Sequence, residues 1–436
     1  MEIRPLYFAD EIFYWARIGR QATVLELQCT LTQKIDPEAL EAALLHALRV
    51  HTNFRIRPVI VNGRFQAMLD DLKKAPLYAK DGRTRQPGTA DTEGLMLYAE
   101  YKEKDITLHV FHGLSDLRGM FAFLNTMLKF YYHESVQTAA GLPEPDSTDT
   151  IPCYEKIMER APGGPAGSFL PDEVSVFHLP EKSFGKRTTV QRVCEIDLPL
   201  EPLLAVSKRS GSSVVPTLQA FIGRAIRKTY DVGKKTIIGY TPIDLRPVFH
   251  FETSGNASSS FPLPYSESLD RQSVEERALF LRNYLNFQKQ PENLYAGVKR
   301  ILDRAAPVIK APLPPGLKTH LIVNVGRLMD RASYTYGLSY AGKVRFDEAV
   351  DPYVASVTAC AGSYSYPLWI MACEFHGTLR MKLTQSYESI RLAKNICKEL
   401  SLEIPGMNFT DRGYHAFDEF HWTKLRRIGK NLQLRI

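Results

Sequence analysis

The stretch of this chain best equipped for chemistry is FHGLSDLRG, residues 111–119, which places His112 four positions before Asp116. An imidazole titrates near neutral pH and takes a proton from a hydroxyl or amine, the work of a general base. The spacing alone discriminates poorly. With 11 histidines in the chain, chance supplies about half a His-x-x-x-Asp hit. Two readings are open at this point: a core histidine with satisfied hydrogen bonds, or a catalytic base.

Other chemistries have weaker signatures. Gly113-Leu114-Ser115 and Gly337-Leu338-Ser339 each begin a G-x-S-x-G elbow without its second glycine, which disfavours a serine hydrolase. His109 and His112 point to opposite faces if both lie on a strand. No carboxylate or cysteine completes a ligand set, so no metal is expected. Neither a GxxxxGK phosphate loop nor a strand-linked GxGxxG occurs.

The elements that must position His112 are legible around it. Residues 23–31, TVLELQCTL, alternate apolar and polar and read as a half-buried strand. Asp36-Pro37 opens a helix, with Asp as N-cap and Pro at the first helical position. Leu40, Leu44, Ala47 and Leu48 form its apolar stripe. A strand over 53–61 ends at the turn signal Asn62-Gly63. LMLYAEY and ITLHVFH flank a charged turn and read as a hairpin over 95–112. In its second strand Ile106, Leu108, Val110 and His112 share a face, so His112 stands at a strand end, in phase with core residues. An apolar helix over 117–132 follows.

Residues 134–190 are rich in Pro, Gly and Ser, with a short helical stretch near Cys153–Arg160, and read as a crossover or lid. Beyond it come a strand at 191–198, helices at 202–209 and 216–230, and a strand at 236–243 entering Asp244-Leu245-Arg246-Pro247. A helix at 272–288, strands at 319–325, 354–361, 366–375 and 378–384, and a helix at 387–402 complete the pattern. The expectation is an α/β protein of two similar halves, residues 1–175 and 176–436. The ending HWTKLRRIGKNLQLRI is basic and reads as a solvated tail or an anionic docking site.

Hydrophobic residues at 44% and charged residues at 24% match an ordinary soluble globular protein. A formal charge of +7 is too small for wrapping nucleic acid but suits anionic partners such as nucleotide phosphates. The 21 Tyr and 22 Phe suit cores and an apolar tunnel better than base stacking. The six cysteines form no CxxC pair, which argues against a zinc ribbon or disulfide scaffold and for a reducing cytoplasm. Charges interrupt the N-terminal stretch MEIRPLYFADEIFYWAR, and no apolar run approaches the ~18 residues of a membrane span. Neither a signal peptide nor a membrane span is expected.

The stretch 106–128, ITLHVFHGLSDLRGMFAFLNTML, resembles the HHxxxDG region of the chloramphenicol-acetyltransferase-like and condensation-domain superfamily. Within it, the stand-alone bacterial alcohol acetyltransferases, with a motif like HxxxDGxGxxxFL, are nearest. His112, Asp116, Gly119 and Phe123-Leu124 carry the match. Residues 35–57, 212–230 and 241–256 (TPIDLRPVFHFETSGN) resemble further segments of that family in the expected order, and HLIVNVGRL at 320–328 is a looser match.

The resemblance implies two mixed sheets covered by helices, joined as a pseudo-dimer with a central tunnel. It implies His112 as general base, Asp116 as a structural carboxylate paired with Arg246, and Asn256 as structural. The donor would be acyl-CoA or a phosphopantetheine-linked acyl group on an acyl carrier protein; the acceptor would be a small alcohol or amine. No permanently bound cofactor is implied. The sequence departs from the pattern at Phe111, where the family often has a first histidine, and at Leu117, where it has glycine. Leu117 either narrows the channel or marks a domain that recruits a carrier or synthetase without turnover.

Overall fold

Alternating strands laid under apolar helices build the lobe that carries His112. The computed structural model describes residues 3–6, 8–17, 24–72, 74–133, 153–159, 174–181, 190–250, 252–322, 334–363, 366–417, 425–428 and 431–434. In chain order the first lobe contains β1 (Ile3–Pro5), α1 (Phe8–Arg17), β2 (Val24–Leu31), α2 (Pro37–Val50), β3 (Ile56–Val61) and β4 (Arg64–Leu69). It continues with β5 (Leu77–Ala79), β6 (Leu97–Lys102), β7 (Asp105–Phe111), α3 (Leu117–His133) and α4 (Cys153–Glu159). Asp36 caps α2 by accepting from the N–H groups of Glu38 and Ala39 at 2.9 and 3.3 Å. Asn62 and Gly63, both with positive φ, turn β3 into β4. Leu25, Leu27 and Cys29 of β2 lie opposite Val110, Leu108 and Ile106 of β7, in the core beneath α2 and α3.

The second lobe contains β8 (Val190–Pro199), α5 (Leu200–Arg209), α6 (Val214–Thr229), β9 (Ile237–Asp244), α7 (Arg246–Phe249), β10 (Ser258–Tyr265), α8 (Glu267–Asp270), α9 (Val274–Gln288) and α10 (Pro291–Lys310). After these come β11 (Tyr336–Lys343), β12 (Val354–Ala361), β13 (Leu368–Phe375), β14 (Thr378–Gln385), α11 (Arg391–Ser401), β15 (Asn408–Ala416), β16 (Leu425–Ile428) and β17 (Asn431–Leu434). Its sheet runs β10-β9-β11-β13-β14-β8-β15, with β11 parallel to β9 and β13 inside an otherwise antiparallel array. The first lobe's sheet runs β12-β2-β7-β6-β5. The strand β12 therefore leaves its own half of the chain and pairs with β2, setting Val357 opposite Cys29. The architecture is mixed α/β and two-lobed, and this strand ties the lobes together.

Two expectations change. The strand expected at 319–325 is not found among its described residues: 319–322 belong to a helix over 315–322, with Pro314 and Pro315 preceding or opening the turn and Leu317 and Leu321 at helical spacing. The rest of that segment, with Asn324 and Gly326, lies outside the described residues. The basic ending forms the hairpin β16-β17 in a third sheet, β1-β4-β3-β17-β16, where Leu432 pairs with Ile60. Of the crossover at 134–190, only Cys153–Glu159, 174–181 and the first residue of β8 are described.

The helix α1 is fastened to β4 by one buried carboxylate. Glu11 is fully buried and accepts from Trp15 Nε1 at 3.1 Å, from the Phe65 N–H at 3.1 Å and from the Arg64 guanidinium. Removing it strands several buried donors at once. Glu11→Ala is expected to lower unfolding free energy by about 3 kcal/mol, read as a lower urea midpoint with an unchanged m-value.

Candidate active site

The strand β7 stops at Phe111, one residue before the histidine. Phe111 is fully buried and meets Tyr14 of α1 edge-on, ring centroids 4.7 Å apart. Gly113 lets the chain turn away: a Cβ there would lie 2.3 Å from the Phe111 ring. His112 thus sits in the turn between β7 and α3, and the turn directs its ring. Leu114 closes the turn with a 2.9 Å bond from its N–H to the Phe111 carbonyl. Leu117 is buried in the apolar core at the first residue of α3.

Asp116 and Arg246 lock this turn to the end of β9. Arg246 Nη1 donates to Asp116 Oδ2 and Nη2 to Oδ1, each at 3.0 Å, a bidentate pair. Asp116 also accepts from the N–H groups of Gly119 at 3.0 Å and Ala257 at 2.8 Å. Arg246 spends its other donors on Asp244 Oδ1 at 2.9 Å and the carbonyls of Thr253 and Gly255 at 2.8 and 2.6 Å. Ser115 Oγ donates to the Ser254 carbonyl at 2.6 Å. Gly119 is indispensable to this fit, because a Cβ would come within 1.9 Å of that same carbonyl oxygen.

The His112 ring is clamped from two sides. It stacks on Phe13 of α1 with centroids 4.2 Å apart and planes at 20°. Its Nδ1 lies 3.1 Å from the Ser115 carbonyl and 3.1 Å from Asn256 Oδ1. Asn256 Nδ2 donates to the His112 carbonyl at 2.7 Å and to Asp10 Oδ1 at 3.0 Å, and those acceptors set which end of the amide faces the ring. Both groups at Nδ1 are acceptors, so Nδ1 carries the proton and the Nε2 lone pair is free to act as a base. Burial pushes the imidazole below its ordinary 6.5, against the raising pull of Asp116 and of the bonds to Ser115 and Asn256.

Asn256 therefore touches the histidine directly, a contact that its reading as a structural residue did not include. Phe13 and Asp10 were not singled out in the sequence. Their only signal is a spacing of three on α1, which puts both on one helix face. Among the described residues, no group of three or more His, Cys, Asp or Glu side chains is placed to hold a metal ion. No described helix is long and apolar enough to cross a membrane.

No protein-family model and no curated protein matches the sequence. The fold, in contrast, is that of condensation domains and acetyltransferases. Polyketide synthase associated protein 5 from Mycobacterium tuberculosis superposes with a TM-score of 0.64 at 14% identity, covering 92% of this chain and 98% of that one. The condensation domain from Monacolin K polyketide synthase MokA gives 0.63 at 12% identity, over 92% and 96%. F. sporotrichioides TRI101, complexed with coenzyme A and T-2, gives 0.56 at 12% identity, over 94% and 100%. At such identities the likeness establishes the fold.

Arg246→Ala leaves the Asp116 carboxylate buried without its main partner. The expected loss is about 3–5 kcal/mol of unfolding free energy at neutral pH. Arg246→Lys, which keeps the charge without the planar fork, is expected to recover only part of it in the same denaturation experiment.

Proposed function

We propose that this protein is an acyltransferase, moving an acyl group from a thioester to a hydroxyl or amine acceptor with His112 Nε2 as general base. The observation that carries the reading is the fixed tautomer: Nδ1–H is held by two acceptors, on a turn bolted by Asp116 and Arg246. The fold shared with acetyltransferases supports the same reading. In the reaction, Nε2 takes the proton of the acceptor as its oxygen or nitrogen attacks the thioester carbonyl. The tetrahedral oxyanion collapses, the C–S bond breaks, and the imidazolium returns the proton to the departing thiolate. No metal or redox group is required, because the thioester supplies the activation.

The donor is acyl-CoA or a phosphopantetheine-linked acyl group on an acyl carrier protein; both offer the same reacting atoms. Asp116 and Arg246 act on the position of the base and do not touch the substrate. A histidine whose folded pKa lies below 6.5 stays neutral at pH 7, so the base is ready without prior deprotonation. Its neutral form also contributes stability that is complete above pH 6.5 and is lost as pH falls toward the folded pKa.

The test is thiol release from acyl-CoA and from acyl carrier protein, with alcohol or amine acceptors, for wild type and His112→Ala. The substitution is expected to lower acceptor-dependent release by at least about 100-fold while the thermal midpoint holds. In the wild type, protonation of His112 itself is expected to lower the rate only as pH drops below about 6.5, the ordinary histidine value. Undiminished release by His112→Ala overturns the mechanism. Absence of release from both donor classes moves the assignment to a recruitment domain that binds a carrier or synthetase without turnover.

A further inference from the structure

The carboxyl group of Asp10 lies outside the motif that carries the base, yet it ends a hydrogen-bonded line that reaches the ring. The line runs from Asp10 Oδ1 to Asn256 Nδ2 at 3.0 Å, then from Asn256 Oδ1 to His112 Nδ1 at 3.1 Å. The second hydrogen of the Asn256 amide goes to the His112 carbonyl at 2.7 Å. Every polar position that the amide turns toward the histidine is filled, and each fixes the sense of the next. Asp10 also shares its helix face with Phe13, whose ring stacks on the imidazole. One helix thus supplies both the flat wall and the polar end of the histidine's cage.

We propose that Asp10 is a positioning residue for His112: its carboxylate orients the Asn256 amide, and the amide holds the imidazole in the tautomer that leaves Nε2 unprotonated. This rests on the reading of His112 as the base. An ionised Asp10 offers only acceptors, so Asn256 must present Nδ2 to it and Oδ1 to the histidine. A protonated Asp10 offers a donor as well and competes for Oδ1, which weakens the hold on Nδ1–H. The carboxyl titrates where this matters. Burial raises it from 3.8 to about 7; the bond from Asn256 pulls it down, and the carboxylates of Glu155 on α4 and Asp116 push it up. Asp116 is itself paired with Arg246, and the adjacent Glu11 is turned away to Arg64, Trp15 and Phe65.

The raised value has a cost with a definite sign. A carboxyl that titrates at 3.8 unfolded and about 7 folded withdraws stability as pH rises through that window.

The experiment reads the histidine directly. Protein carrying 15N-histidine is compared by NMR of the His112 ring nitrogens for wild type, Asp10→Ala, isosteric Asp10→Asn and Asn256→Ala, alongside kcat and KM against pH. Wild type is expected to show protonated Nδ1 and bare Nε2. In Asp10→Ala the Nε2–H tautomer gains population and kcat drops on the order of tenfold with KM little changed. Asp10→Asn, which still offers an acceptor, recovers much of the tautomer but loses the acid limb of kcat near pH 7. Its denaturation midpoint rises, relative to wild type, more at pH 8 than at pH 5, the reverse of what a purely structural carboxylate gives. In an Asn256→Ala background, Asp10→Asn no longer changes the tautomer. A wild-type ring already protonated at Nε2, or Asp10 variants with unchanged tautomer and kcat, overturns the proposal. Turnover that survives His112→Ala instead overturns the assignment of the base, and the ring-nitrogen signals still decide what Asp10 does to the histidine.

Discussion

The pairing of Asp116 with Arg246 is the constraint on which the site depends. Two charges removed from water hold together only when nearly every donor and acceptor on them is used, and that condition is met here. The guanidinium divides its donors among Asp116, Asp244 and two backbone carbonyls; the carboxylate accepts two of them and two backbone N–H groups. The effect is geometric. The end of β7 in one lobe and the end of β9 in the other are drawn to one point, and the turn carrying His112 has no freedom to swing. Small residues make the approach possible, above all Gly119 packed on the Ser254 carbonyl.

Around that anchor burial pushes the imidazole below its ordinary value, and the acceptors at Nδ1 orient it. The Asp10 carboxylate stands one amide away from Nδ1, and the charge that acts on the imidazole is Asp116. A second polar set bridges the lobes elsewhere. Glu26 of β2 meets His415 of β15 at 2.9 Å and His109 of β7 at 3.8 Å, and Tyr98 stacks on His109 with centroids 4.3 Å apart. Burial pushes Glu26 up, but the flanking histidines and Lys382 outweigh it and hold the carboxylate below its ordinary range. The space between the two sheets is therefore held by matched polar contacts as well as by the exchanged strand β12. Such contacts demand one register of lobe against lobe, where an apolar surface would tolerate sliding.

Much of this was legible in the chain. Alternation announced β2 and β7, Asp36-Pro37 announced α2, Asn62-Gly63 announced the β3–β4 turn, and the apolar period announced α3, because these signals act within a few residues of themselves. Residues 111–119 and 241–256 also pointed to His112, Asp116 and Arg246 by resemblance. The helix at 315–322 was misread because a short apolar run suits either period, and the prolines ahead of it carried the deciding information. The placement of β12 beside β2 and of β17 beside β3 had no local signal at all, since each partner lies hundreds of residues away.

What the sequence determined by itself was the run of elements on either side of His112, β2, α2, the β6–β7 hairpin and α3, together with the chemistry-bearing turn. What only the tertiary structure decided was the environment of His112: Asn256 against Nδ1, Phe13 against the ring face, and Asp10 behind Asn256. Asp10 and Asn256 stand 246 positions apart in the chain. Their meeting depends on how α1 packs beside the β9–β10 connection. Propensity and periodicity report on neighbours a turn away, whereas a hydrogen bond between distant segments exists only after the lobes have closed around it.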